Sequence, residues 1–148
     1  AVDVSHLNDA GFKDVCATAT RPFAASHSNA RAVCGHPRNL AAWQLCELAD
    51  AGGVAGLNFC RDFLSETHAD PTPDDVLRHV DRMLEAAGED VLALGSDYDG
   101  CDVPSWLDPC DQAGGLHALI ASRFGEAVAD KAFFGNARAF FERLEGQV

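Results

Sequence analysis

Positive charge is scarce in this chain. Its 148 residues carry 11 lysines and arginines against 23 aspartates and glutamates, a formal net charge of -12. A surface of that sign repels phosphate backbones and anionic headgroups, so nucleic acid and membrane surfaces are not expected as partners. Long apolar runs are missing too: no stretch approaches the roughly 20 residues of a membrane span. Ala1-Val2-Asp3-Val4 has neither the basic region nor the apolar core of a signal peptide, and a cytoplasmic location is the expectation, with export of the parent protein left open. No methionine stands at position 1, which fits a chain that begins inside a longer one.

Paired cysteine motifs are also lacking. Cys16, Cys34, Cys46, Cys60, Cys101 and Cys110 form no Cys-x-x-Cys or Cys-x-x-x-x-Cys pair, so a structural zinc knuckle has no ligand set. Cys16 and Cys46 lie in apolar surroundings and are expected to be reduced, buried thiols. Low-complexity tracts and linker-like shifts in composition are absent as well, which argues for one continuous unit.

What is present is a repeated alternation. Four short apolar runs each end in polar residues: Val2 to Ser5 at His6, Pro22 to Ala25 at Ser26-His27-Ser28, Gly53 to Leu57 at Asn58, and Val91 to Leu94 at Gly95-Ser96-Asp97. Between them the period becomes helical. Ala41 to Ala51 follows Asn39 as an N-cap and stops at Gly52-Gly53. Pro73-Asp74-Asp75 opens a second helix with apolar stripe Val76, Leu77, Val80, Met83 and Leu84, closed by Gly88. Weaker helical patterns cover 8–18, 113–123, 126–134 and 136–144. Strand followed by helix, four times over, predicts a parallel sheet with crossover helices. Such a sheet carries its chemistry at the C-terminal ends of its strands, and four βα units are half of a closed barrel.

Candidate functional residues follow from that placement. His6 and His27 each leave a strand end towards the same mouth, where two neutral imidazoles can share a metal ion. Asp97 and Asp99 close the last strand, and a carboxylate there can orient water or shuttle a proton. Asp99-Gly100 reads equally as an Asx turn. Arg38 alone would read as a surface ion pair, and His36 as structural. His68, His79 and His117 fall on loop or helix positions and are expected to be solvated. His68-Ala69-Asp70 copies a metal-binding His-x-Asp spacing but follows no strand.

Five motifs in order, Val4-Ser5-His6, Ala25-Ser26-His27-Ser28-Asn29, His36-Pro37-Arg38-Asn39-Leu40, Gly53-Val54 through Leu57-Asn58-Phe59, and Gly95-Ser96-Asp97-Tyr98-Asp99-Gly100, resemble the second half of the membrane (renal) dipeptidase family. After Gly100 the resemblance weakens, although Gly135-Asn136 is similar to the family's closing helix. The resemblance implies an α/β fold, the C-terminal half of a (β/α)8 TIM-like barrel with four βα units plus C-terminal helices, filling residues 1–148. It implies a zinc metallopeptidase that hydrolyses dipeptides, D-residues at the C-terminal position included, by metal-activated hydroxide with two Zn2+ in a complete site. By position His6 and His27 match the histidine ligands of the second zinc, Arg38 the clamp on the substrate carboxylate, and Asp97 the acid/base residue. Tyr98 stands where the family more often has Phe.

The partners implied are a dipeptide and the N-terminal half of the same barrel, which would bring the His-x-Asp ligands, the bridging glutamate and an oxyanion-stabilising histidine. Without them the chain is expected to be inactive. Two rival readings are a non-catalytic half-barrel that binds or assembles, and a homodimer that closes a pseudo-barrel across the edge strands.

Overall fold

The computed structural model describes residues 1–67, 69–108 and 110–146. His68 lies outside them, and with it the expectation for the His68-Ala69-Asp70 spacing. Three parallel strands, β1 (Ala24–Ala25), β2 (Val54–Leu57) and β3 (Leu92–Leu94), lie side by side in the order of the chain. Ala24 pairs with Val54, and Ala55 with Leu92. Every residue of β2 is buried, as the middle of a sheet covered on both faces requires.

The expected first strand is shorter than its β-branched composition suggests. Only Asp3 pairs, in a parallel bridge to Ala24 flanked by bonds from Val4 N to Ala24 O and from Ala24 N to Val2 O. The reason is a turn: Leu7 N bonds Val4 O at 3.0 Å, which lifts Ser5 and His6 out of the ladder. Likewise β1 keeps only the last two residues of the predicted run.

Helices connect the strands. In chain order they are α1 (Asp9–Thr18), α2 (Ala42–Asp50), α3 (Arg61–Leu64), α4 (Pro73–Ala87), α5 (Ala113–Phe124), α6 (Glu126–Asp130) and α7 (Asn136–Glu145). A π-helical turn at Lys131–Gly135 joins the last two. The clearest sequence signal gives the clearest helix. Thr72 caps α4 by accepting from Asp75 N, the Asp75 carboxylate accepts in return from Thr72 N at 2.7 Å, and the helix ends at Gly88 with φ +77°. Its buried face is Val76, Leu77, His79, Val80 and Met83, packed on the apolar core beneath β2 and β3.

Three local expectations are corrected. Asn39 does not cap α2; the cap position is Ala41, whose N–H donates to the Gln44 side chain, while Asn39 is buried and donates to Cys34 O and Phe63 O. Asn39 lies too far upstream and is used to pin the loop before the helix. Cys46 is exposed on α2, and Cys16 on α1 is half-buried at the edge of the core; the buried thiols are Cys34 and Cys60. His79 is not solvated. It sits on the apolar stripe of α4, fully enclosed, since both of its ring nitrogens find backbone partners there.

No helix among the described residues is long and apolar enough to cross a membrane.

Candidate active site

The C-terminal ends of the strands converge on one polar rim. Ser26-His27 follows β1, Asn58 follows β2, and Gly95-Ser96-Asp97 follows β3, while His6 arrives from the turn after the Asp3 bridge. The convergence depends on two missing side chains. A Cβ on Gly56 would lie 2.0 Å from the Ser26 carbonyl oxygen, and one on Gly95 1.8 Å from the same atom. Only glycine lets the peptide between Ser26 and His27 close over the middle strand towards the third.

His6 and His27 meet there. Their Nε2 atoms are 3.0 Å apart, with ring planes tilted by 57°. Arg38, from the loop between β1 and α2, reaches the same place, its Nη2 3.2 Å from His6 Nε2. A guanidinium can only donate, so that contact makes His6 Nε2 an acceptor. Burial pushes the His27 imidazole down, partly opposed by the nearby Asp97 carboxylate, which favours the neutral ring a metal needs. Two nitrogen ligands each about 2.0–2.1 Å from a tetrahedral cation would be roughly 3.3 Å apart. The pair therefore has the spacing and donor chemistry of two ligands to one ion.

Arg38 is half-buried and its guanidinium lies over Phe63, 5.5 Å from the ring centroid. Its Nη1 is buried and has no hydrogen-bond partner among the described residues. His36 keeps a structural part: its Nδ1 accepts from Arg38 N at 3.2 Å and its ring packs on Phe63 at 4.5 Å.

Asp97 occupies left-handed backbone, φ +62°, and Asp99 does too, φ +65°. Non-glycine residues hold such a conformation at some cost, so both belong to a constrained turn, closed by Gly100 N on Asp97 O at 3.0 Å. Asp97 Oδ2 accepts from Asn58 Nδ2 at 3.2 Å. The same amide group donates to His27 O at 3.3 Å, so Asn58 ties the first strand end to the third. Asn58 is itself fixed by a reciprocal exchange with Asn29, both fully buried. Cys101 donates to Asp97 O, but burial, with Cys60 beside it, pushes this thiol up to about 12, so no thiolate forms there near neutral pH. Tyr98 uses its hydroxyl, donating to Leu107 O at 2.8 Å and tying down the loop that follows.

Asp3, Ser26, Asn58 and Phe63 were not singled out by sequence. Asp3 and Ser5, two apart in a β-branched run, signal a shared polar face; Ser26 and Asn58 were visible as strand-end polar residues. Phe63 had no signal. Away from the rim, His117 is half-buried rather than solvated, packed against Phe133 and 3.0 Å from Asp130. His117, Glu126 and Asp130 form a surface cluster on α5 and α6, their polar side-chain atoms within 4.8 Å of one another.

The sequence profile of the membrane dipeptidases, peptidase family M19, matches residues 1–145. A metallopeptidase from Rhodobacter sphaeroides, solved with a phosphinate mimic of the dipeptide L-Ala-D-Ala, superposes with a TM-score of 0.90 at 36% identity, over 95% of this chain and 41% of that one. An uncharacterized protein in the pqqA 5' region of Klebsiella pneumoniae is 41% identical over 142 residues, 91% of this chain and 51% of its own length. Dipeptidase ataJ of Aspergillus terreus is 32% identical over 147 residues, 98% of this chain and 33% of its own. The chain thus spans about half or less of the length of these relatives. The α/β fold is that of the family's metallopeptidase structures, which imply a metal cofactor.

Proposed function

The chain belongs to the membrane dipeptidase family, and on that premise we propose that it supplies one side of the mouth of a zinc-dependent dipeptidase, as the C-terminal half of a (β/α)8 barrel. The observation that carries this reading is the juxtaposition of two imidazole Nε2 atoms 3.0 Å apart with a guanidinium whose buried Nη1 has no partner. In the proposal His6 and His27 are ligands of one zinc. Bound there, zinc supplies Lewis acidity, polarising a carbonyl and lowering the pKa of an attacking water.

The remaining steps fall to this chain's own residues. Arg38 offers a planar fork to the free carboxylate of a dipeptide, with the ring of Phe63 behind it. A longer peptide has no carboxylate at that place, which gives the preference for dipeptides. Asp97, steadied by Asn58 through one oxygen, takes the proton of the attacking water as the C–O bond forms. It then passes that proton to the amine nitrogen as the C–N bond breaks. The L-Ala-D-Ala mimic in the Rhodobacter sphaeroides structure supports acceptance of a D-residue at the C-terminal position.

Two imidazoles are too few to hold zinc tightly, so the chain alone is proposed to lack turnover. The test is hydrolysis of Ala-Ala with added zinc, by this chain alone and by the full-length protein. The full-length protein turns over, and Asp97→Asn lowers kcat about 10²- to 10⁴-fold without loss of fold. Brisk turnover by the isolated chain, or full activity of Asp97→Asn, overturns the reading.

A further inference from the structure

The hydrogen bonds behind His27 favour one arrangement of protons. Asp3 accepts four of them: from Ser5 N at 3.0 Å, Ser5 Oγ at 2.9 Å and Ser26 N at 3.0 Å through Oδ1, and from Ser26 Oγ through Oδ2. Burial alone would raise this carboxyl; the bonds from Ser26 and Ser5 outweigh it and hold it at about 2, so it is a carboxylate with nothing to donate. The single proton of Ser26 Oγ is therefore committed to Asp3, and that of Ser5 Oγ is committed to Asp3 as well. Ser26 Oγ also lies 2.6 Å from His27 Nδ1. With its own proton spent on Asp3, Ser26 can only accept there, so the proton of the neutral His27 ring is on Nδ1. The lone pair is then on Nε2, directed at His6 Nε2, which is itself an acceptor for Arg38.

Resting on the dipeptidase reading above, we infer that Asp3 and Ser26 are positioning residues, a carboxylate-to-hydroxyl-to-imidazole chain that holds His27 in the tautomer whose Nε2 is free for zinc. The chain spans two strand ends, because Asp3 forms the bridge to Ala24 while Ser26 follows β1. His27 N donates to Ser5 Oγ at 3.0 Å, so backbone and ring of His27 hang on the same carboxylate. A ligand held in one tautomer and one orientation before the ion arrives loses less on binding. Removal of such an outer partner costs metal affinity about 10- to 100-fold.

The experiment uses the full-length protein. In its metal-free form, long-range ¹⁵N–¹H NMR of labelled histidine, with the His27 signal assigned by its loss in His27→Ala, is expected to show the Nδ1–H tautomer. Zinc affinity, read by chelator competition, falls about 10- to 100-fold in Ser26→Ala and Asp3→Asn and recovers in Ser26→Thr, which restores the hydroxyl. An Nε2–H tautomer in the wild type overturns the inference whether or not the variants fold. Unchanged affinity in folded Ser26→Ala overturns it while leaving the dipeptidase reading intact, provided His27→Ala loses zinc. Should His27→Ala keep its full zinc content, both the inference and the ligand assignment fall.

Discussion

His27 and His79 are both pinned through a ring nitrogen, yet their surroundings make opposite use of them. His79 is fully enclosed on α4, its Nδ1 accepting from Ala30 N at 3.1 Å and its Nε2 bonded to Leu64 O at 3.0 Å. Burial pushes it down to about 4, so it stays neutral and carries no spare donor or acceptor. His27 is half-buried, with Nδ1 on Ser26 and Nε2 facing another imidazole nitrogen. A histidine whose two nitrogens both serve backbone groups is part of the fold. One whose second nitrogen meets an equal is part of a site. The two are linked as well: His79 holds the amide of Ala30, three residues beyond His27, so the core histidine braces the loop that leaves the rim.

That contrast can be broken most directly by truncation. His79→Ala leaves a cavity and strands the Ala30 N–H and the Leu64 carbonyl, a loss of about 3 kcal/mol in chemical denaturation. His27→Ala costs less than about 1 kcal/mol and instead abolishes zinc uptake by the full-length protein. Equal stability losses in the two variants would erase the distinction.

Acid separates them by a second route. The folded His79 titrates near 4 against 6.5 when exposed, so between those values the unfolded state binds the extra proton. Its contribution is complete above pH 6.5 and is lost as pH falls towards 4, up to roughly 3 kcal/mol. In His79→Leu the stability profile over that window flattens relative to wild type. An unaltered slope would show that His79 does not stay neutral in the fold.

The rim is sharpened by smaller changes. Arg38→Lys keeps the charge but loses the planar fork, and kcat/KM for Ala-Ala is expected to fall about 10- to 100-fold, mostly through KM, with melting unchanged. A matching fall for a C-terminally amidated dipeptide would detach Arg38 from the carboxylate. The smallest effect is at Asp99. Glycine tolerates its left-handed backbone, so Asp99→Gly shifts stability by no more than about 0.5 kcal/mol in thermal unfolding. A large loss there would assign Asp99 a role beyond the turn.

Much of the architecture was legible because local chemistry is strong where it is regular. The Pro73-Asp74-Asp75 start and Gly88 end of α4, and the fully apolar run of β2, carry their structural meaning in adjacent residues. Position relative to strand ends also brought His6, His27 and Asp97 forward. The errors have a common origin. Asn39 reads as a cap because Asn caps helices, but burial against Cys34 and Phe63 claimed its amide. His79 reads as solvated because it is polar on a helix, but its place in the apolar stripe put both nitrogens against backbone groups. In each case the deciding partner is distant in sequence.

The alternation of apolar runs and helices, the acidic surface and the family membership are properties of the sequence, since periodicity and motif order are local and additive along the chain. The meeting of the two Nε2 atoms, the partnerless Nη1 of Arg38, and the Asp3-to-Ser26 chain that sets the tautomer of His27 belong to the tertiary structure. They arise where parallel strands end side by side and two glycines let one backbone close over another. Hydrogen-bond geometry acts over about 3 Å, a distance that sequence separation does not encode.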